Sequence, residues 1–153
     1  TIDFSASYIK IDANFLVREN SDIKTNAEVN KQGIEIILYN RSAYDLWLKE
    51  NFSHPDYVRV PSIQESHKMF YDGKADVLAS LKPRLVDELA KIAGYRIIEQ
   101  PFTSIHQSVG IQKGHPEALE FLNSLIADLS GNGFIERSLK RHGVEEKLSM
   151  TVF

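Results

Sequence analysis

Apolar positions along this chain follow two spacings, and the switch between them repeats from about residue 13 to about residue 112. Phe15-Leu16-Val17 is a short strand-like run. Ile34-Glu-Ile-Ile-Leu-Tyr39 is β-branched, nearly continuous and strand-length, the pattern of a strand buried on both faces. Tyr57-Val-Arg-Val60, Ala75-Asp-Val-Leu-Ala79, Arg96-Ile-Ile-Glu99 and Gln107-Ser-Val-Gly-Ile111 complete the predicted strands.

Stripes of helical spacing lie between them, with recognisable ends. Thr25-Asn-Ala-Glu28 and Ser62-Ile-Gln-Glu65 are capping boxes, in which hydroxyl and carboxylate satisfy each other's free backbone N–H groups. Ser42 offers an N-cap with Asp45 three residues on, and Ala43, Leu46 and Trp47 set an apolar stripe running to Phe52. The helix after Ser62 turns Ile63, Ser66, Met69 and Phe70 inward and ends near Gly73. Pro83 suits a first helical position, and Leu85, Val86, Leu89 and Ile92 carry that stripe to Gly94. Repeated strand–helix–strand units with short connections predict an α/β fold with a parallel-rich sheet flanked by helices.

The tail changes character. Pro116 opens a long amphipathic helix with Leu119, Leu122, Leu125, Ile126 and Leu129 on one face. Gly131-Asn-Gly133 breaks it, and Phe134 to Arg141 forms a second helix. Two consecutive helices without a strand between them usually cover a sheet. Gly143 to Phe153 reads as a frayed end or an extension packed on a neighbour.

Composition narrows the function. Of 153 residues, 42% are apolar and 25% charged, which suits a packed domain. A net charge of −3 gives no long-range attraction for nucleic acid. With no cysteine, thiol nucleophiles and cysteine-bound metals are excluded. The five histidines, His54, His67, His106, His115 and His142, have no close ligand spacing, so no metal site and no cofactor are expected. Nucleophile elbows, phosphate loops and dinucleotide fingerprints are all missing, so a binder is favoured over an enzyme.

The candidate chemistry is concentrated where predicted parallel strands end. Ser42 caps a helix whose free N–H groups suit a carboxylate, with Arg41 before it and Ala43 after it. Ser80 and Lys82 follow the strand that ends at Ala79. Open α/β sheets bind ligands at this edge. Asp76 is read as structural, Trp47 as core, and Tyr44 as covering the sheet.

Several segments in order resemble the periplasmic solute-binding proteins of the amino-acid type (family 3). Asp3-Phe4-Ser5-Ala6-Ser7-Tyr8 is similar to the family's DFS-x-x-Y segment. Gly33 to Ile36 with Ser42 to Leu46 resembles its strand-to-helix turn, and Phe70 to Val77 its L-x-x-G-x-x-D-A motif. Gln107 to Gly114 resembles its return crossing, and Leu119 to Phe134 its tail. Arg41 stands where the family commonly has glycine, and Ala79-Ser-Leu-Lys82 lacks the carboxylate that pairs with a ligand ammonium.

The resemblance implies the second lobe of a type II binding-protein fold. Residues 1–14 would end the first lobe, 15–112 form the second with a crossing strand at each end, and 113–153 return as first-lobe helices. The hinge would lie in Phe15–Val17 and Ser108–Ile111. The start at Thr1 reads as the interior of a longer protein. The implied role is capture of a small polar or anionic, amino-acid-like solute for an ABC importer. The ligand residues would be Arg41, Ser42, Ala43, Ser80 and Lys82; the partner would be a membrane permease, with no nucleic acid and no catalytic residue. Localisation would be periplasmic, or extracytoplasmic with an anchor. The alternatives are a ligand-sensing domain of a signalling protein and a dehydratase-like enzyme on the same scaffold. With the first lobe incomplete, the Leu119–Leu129 face would be covered by a second copy, an exchanged element or a companion segment.

Overall fold

The computed structural model describes residues 1–151. In chain order its elements are β1 (Ile2–Phe4), β2 (Ile9–Arg18), α1 (Asn26–Val29), β3 (Glu35–Tyr39), α2 (Ala43–Asn51), β4 (Asp56–Val60), α3 (Ile63–Tyr71) and β5 (Val77–Leu81). They continue with α4 (Lys82–Leu89), β6 (Tyr95–Ile97), β7 (Thr103–Gln107), β8 (Gly110–Gln112), α5 (Pro116–Gly131), α6 (Phe134–Arg141) and β9 (Ser149–Met150). The chain divides into two compact units, one of residues 1–11 with 106–153 and one of residues 12–105.

The 12–105 unit is built on strands in the order β4-β3-β5-β2-β6. β3 pairs in parallel with β4 and β5, while β2 is antiparallel to β5 and to β6. Four strands therefore run one way, and β2 alone runs against them. The near-continuous apolar run in β3 has the predicted cause: Ile36 and Leu38 feed one core and Ile37 the other. Val29 of α1 and Tyr44 and Leu48 of α2 pack on the first face with Phe15 and Val17. Phe70 of α3 and Leu85 of α4 pack on the second with Leu16 and Leu78.

Local expectations were met where a cap or a breaker fixed them. Thr25 and Glu28 form the reciprocal capping box of α1. Ser42 accepts from the Asp45 N–H and Ser62 from the Glu65 N–H, so α3 shows the serine half of its expected capping box. Gly33, Gly73 and Gly94 adopt positive φ where each helix or turn hands over to a strand.

Differences arise where tertiary packing chose the face. The buried side of α2 is Tyr44, Asp45 and Leu48, and Leu46 points to solvent, so the predicted stripe is turned along the helix. β5 runs Val77–Leu81, two residues later than the apolar run suggested, because Asp76 stops outside it to accept the Glu35 N–H at 3.0 Å. α4 begins at Lys82, one residue before Pro83, and Ile92 lies beyond it. Gln107 to Ile111 divides between β7 and β8 instead of forming one strand. Phe15 and Val17, expected in a hinge, are fully buried in the 12–105 core, and the chain passes between units at residues 11–12 and 105–106, inside β2 and β7.

In the other unit, β1 pairs antiparallel with β8, and β9 pairs with the first residues of β2. The C-terminal extension thus packs on its own chain up to Thr151, and residues 152–153 lie outside the described ones. α5 and α6 border an open apolar groove of about 450 Å³, lined by Leu122, Ile126, Leu129, Ile135 and Leu139 among others. Of the predicted α5 stripe, Ile126 is buried, Leu119, Leu122 and Leu129 are partly buried and Leu125 is exposed, while Phe134, 51% exposed, lines the groove from α6.

Candidate functional site

Three helices of the 12–105 unit begin at one edge of its sheet, because each follows a strand of the parallel set. α2 starts after β3, α3 after β4 and α4 after β5. Such starts present backbone N–H groups without partners inside the helix, together with the positive end of the helix dipole.

The predicted site residues share this edge. Arg41, Ser42 and Ala43 form the turn into α2, Ser80 is the penultimate residue of β5, and Lys82 is the first of α4. β3 and β5 are direct neighbours. Arg41 and Ala43 are exposed, and Ser42 and Lys82 partly so. Arg41 also borders an open groove of about 660 Å³ that Lys49, Asp45 and Arg59 line and Lys82 does not. Ser80 differs from the rest: it is 2% exposed and turned into the protein.

Arg41 has φ of 60°, a left-handed conformation that a Cβ disfavours by about 1–2 kcal/mol. Asp45 holds it there. This carboxylate, 4% exposed, accepts from the Arg41 N–H at 2.8 Å and from Arg59 Nε at 2.9 Å. Arg59 in turn lies over the Tyr57 ring, 4.7 Å from its centroid. The N-cap serine and the buried aspartate thus fix the shape of the turn.

Behind the edge lies a buried polar cluster. His67 of α3, 3% exposed, has Nδ1 2.5 Å from Glu88 Oε2 and Nε2 3.0 Å from Ser80 Oγ. Tyr71 donates to the same Glu88 oxygen at 2.6 Å, and Arg84 Nε lies 2.9 Å from Oε1. Burial holds His67 below the usual imidazole range, outweighing the pull of Glu88 toward the charged form. Burial pushes Glu88 upward, but hydrogen bonds from Tyr71 and His67 prevail and hold it below the usual carboxylate range. Glu88 is therefore the carboxylate and His67 the neutral imidazole. The order Ser80–His67–Glu88 has the spacing of a charge relay, yet Ser80 is closed to solvent. Sequence reading weighed His67 only as a metal ligand and passed over Glu88, since their partners come from three different elements. The one signal available was an apolar-stripe position of α3 occupied by a histidine beside Ser66.

The described residues include no group of three or more side chains disposed to hold a metal ion, and no helix long and apolar enough to cross a membrane.

No protein-family model and no curated protein sequence matches the chain. Solved structures do. The solute receptor for L-cysteine of Neisseria gonorrhoeae matches with a TM-score of 0.78 at 16% identity, covering 99% of this chain and 64% of that one. A putative ABC-transporter binding component from Wolinella succinogenes, complexed with lysine, matches with a TM-score of 0.78 at 19% identity, covering 92% and 62%. An ancestral amino-acid-binding protein, a precursor of cyclohexadienyl dehydratase, matches with a TM-score of 0.72 at 22% identity, covering 92% and 61%. The chain thus spans less than two thirds of the length of these proteins.

Two measurements test the turn and the cluster. Arg41→Gly relieves the left-handed strain but loosens the unfolded chain, by about 0.4–1 kcal/mol, so a net gain of about 0.5–1 kcal/mol is expected in urea unfolding. A loss of stability would mean that the arginine side chain itself anchors the turn. For His67 the folded state binds fewer protons than the unfolded state below the ordinary imidazole pKa, so stability should fall as pH drops from about 6.5. His67→Gln should flatten that part of the pH profile; an unchanged slope would locate the acid sensitivity elsewhere. The chain carries the type II binding-protein fold found in amino-acid-binding components of ABC transporters.

Proposed function

We propose that this chain is part of an extracytoplasmic solute-binding protein that captures a small amino-acid-like compound for an ABC importer. The observation that carries the reading is the α2 start: a capped helix N-terminus, shaped by Asp45 and flanked by Arg41 and Lys82, at the ligand-binding edge of a mostly parallel sheet. A carboxylate fits there, attracted by two cations and by free N–H groups of α2. The proposed ligand residues are Arg41, Ser42, Ala43 and Lys82, with Ser80 as support from within. The work is binding without chemistry, which agrees with a serine sealed away from solvent. The cysteine receptor and the lysine complex bind amino acids, and they share the fold that this reading assumes.

The open apolar groove bordered by α5 and α6 belongs to the same reading. In the working protein it lies against a second copy, an exchanged element or a companion segment, as the greater length of the matched proteins allows.

Two experiments decide. A thermal-shift and calorimetric screen with L-cysteine, L-arginine and L-lysine should find a compound that stabilises the protein, by about 2.7 kcal/mol at a hundred times its Kd. Replacing Arg41 and Lys82 together by alanine should weaken it at least about tenfold, about 1.4 kcal/mol. Undiminished binding by that double variant would remove the rim from the site. Light scattering of the chain alone should show a dimer or larger species, and a stable monomer would count against the covered face.

A further inference from the structure

Helix α4 carries its charges the wrong way round. A helix start is electropositive and a helix end electronegative, so acids suit the first turn and bases the last. α4 has no acid in its first turn and no base in its last. Lys82 and Arg84 stand at its start, and Asp87 and Glu88 near its end. Arg84 also precedes its i+4 partner Glu88, the weaker order for such a pair. Each charge so placed shifts the folding equilibrium of a helix by about two- to fivefold in the unfavourable direction. A helix of 8 residues without a side-chain cap at Leu81 has little local stability to set against that.

Contacts outside the helix explain where Glu88 stands. Its Oε2 atom accepts from the Tyr71 hydroxyl at 2.6 Å and lies 2.5 Å from His67 Nδ1, both partners belonging to α3. The second nitrogen of His67, Nε2, lies 3.0 Å from Ser80 Oγ of β5. A carboxylate can only accept, so His67 donates from Nδ1, and the bare Nε2 of the neutral ring accepts the Ser80 hydrogen. One buried ring therefore ties both ends of the segment from Ser80 to Glu88 to α3. Leu85 is the one fully buried residue of α4. A single apolar anchor leaves a helix free to turn and slide; the Glu88 contacts remove that freedom.

Lys82 lies inside the tied segment, two residues after Ser80 and partly exposed. We propose that His67 and Glu88 are positioning residues for Lys82, clamping the segment from Ser80 to Glu88 at both ends. The clamp keeps a cation at a helix start where the backbone alone favours an anion.

A charge that breaks a local rule needs a compensating use. For Glu88 the use is the clamp itself. For Lys82 it is the anionic group of a solute at the sheet edge, met by a side chain whose backbone is held still, so that less freedom is lost on binding. This use of Lys82 rests on the solute-binding role proposed above; the clamp does not.

Amide hydrogen exchange of the ligand-free protein reads the clamp. In Glu88→Ala the new residue is the better helix former and removes a charge the dipole opposes, so local propensity calls for slower exchange in α4. The clamp calls for the opposite: α4 amides exchanging about tenfold faster or more, with those of α2 unchanged. Tyr71→Phe removes one donor and keeps the ring bridge, so it should speed the same amides less; it serves where Glu88→Ala does not fold. Wild-type or slower α4 exchange in either folded variant overturns the clamp, and so does equal acceleration throughout residues 12–105. Lys82→Ala should raise the folding equilibrium constant in urea about two- to fivefold. A decrease would overturn the proposal, since the lysine would then serve the fold. Calorimetry with L-lysine, L-arginine and L-cysteine reads the purpose. Glu88→Ala and Lys82→Ala should each weaken binding about fivefold, and the double variant no more than Lys82→Ala alone. Losses that multiply would show Glu88 acting by another route and overturn its positioning role. If none of the three compounds binds, the solute role loses its support, while exchange and unfolding still decide the clamp.

Discussion

Strand direction is the constraint on which the rest of this structure depends. β4, β3, β5 and β6 run the same way, so α2, α3 and α4 each restart at one edge of the sheet. A helix start carries unsatisfied N–H groups, and gathering several starts in one place makes that edge electropositive before any side chain contributes. Arg41 and Lys82 reinforce a polarity that the topology has already set.

A polar edge needs rigid support, and here the support is buried and polar. Asp45 is held by two donors and in return fixes Arg41 in a backbone region few residues enter. Glu88 gathers His67, Tyr71 and Arg84. Charged groups under cover are tolerable only when such partners replace water, so each network specifies one arrangement of the helices around it. Asn14 is a further buried polar residue, donating to the Ile98 and Glu99 carbonyls across from Ser80 in register. The underside of the edge is therefore polar where the two cores on either side are apolar.

The residues 1–11 with 106–153 present the opposite case. Their helices are amphipathic by pattern, yet the apolar side of α5 and α6 borders a groove instead of a sheet. Phe134, which lines that groove and is half exposed, would lose considerable apolar area from water if the groove were covered. The solved structures that share this fold have about a third more of their own length beyond the matched part.

Elements and caps were legible in the sequence because their causes are local. A serine three residues before the N–H it accepts, a glycine that alone tolerates a left-handed turn, and a β-branched run buried on two faces each act within a few residues. The α/β class and the α2 start with Arg41, Ser42 and Ala43 followed from these. Which side of α2 faces inward followed only in part: Tyr44 and Trp47 were expected on the sheet and pack there, while Asp45 and Leu48 in place of Leu46 were selected by the sheet beneath and by Arg59 of β4. The His67–Glu88–Ser80 cluster was equally hidden: its members stand 13 and 21 residues from the histidine and meet only because α3, α4 and β5 pack together. The sequence by itself determined the order of helices and strands and the capped starts of α1, α2 and α3, while packing set the bounds of β5, α4, β7 and β8. Only the tertiary structure decided which polar side chains are buried together, because burial and partnership depend on elements brought side by side, and no local pattern encodes that.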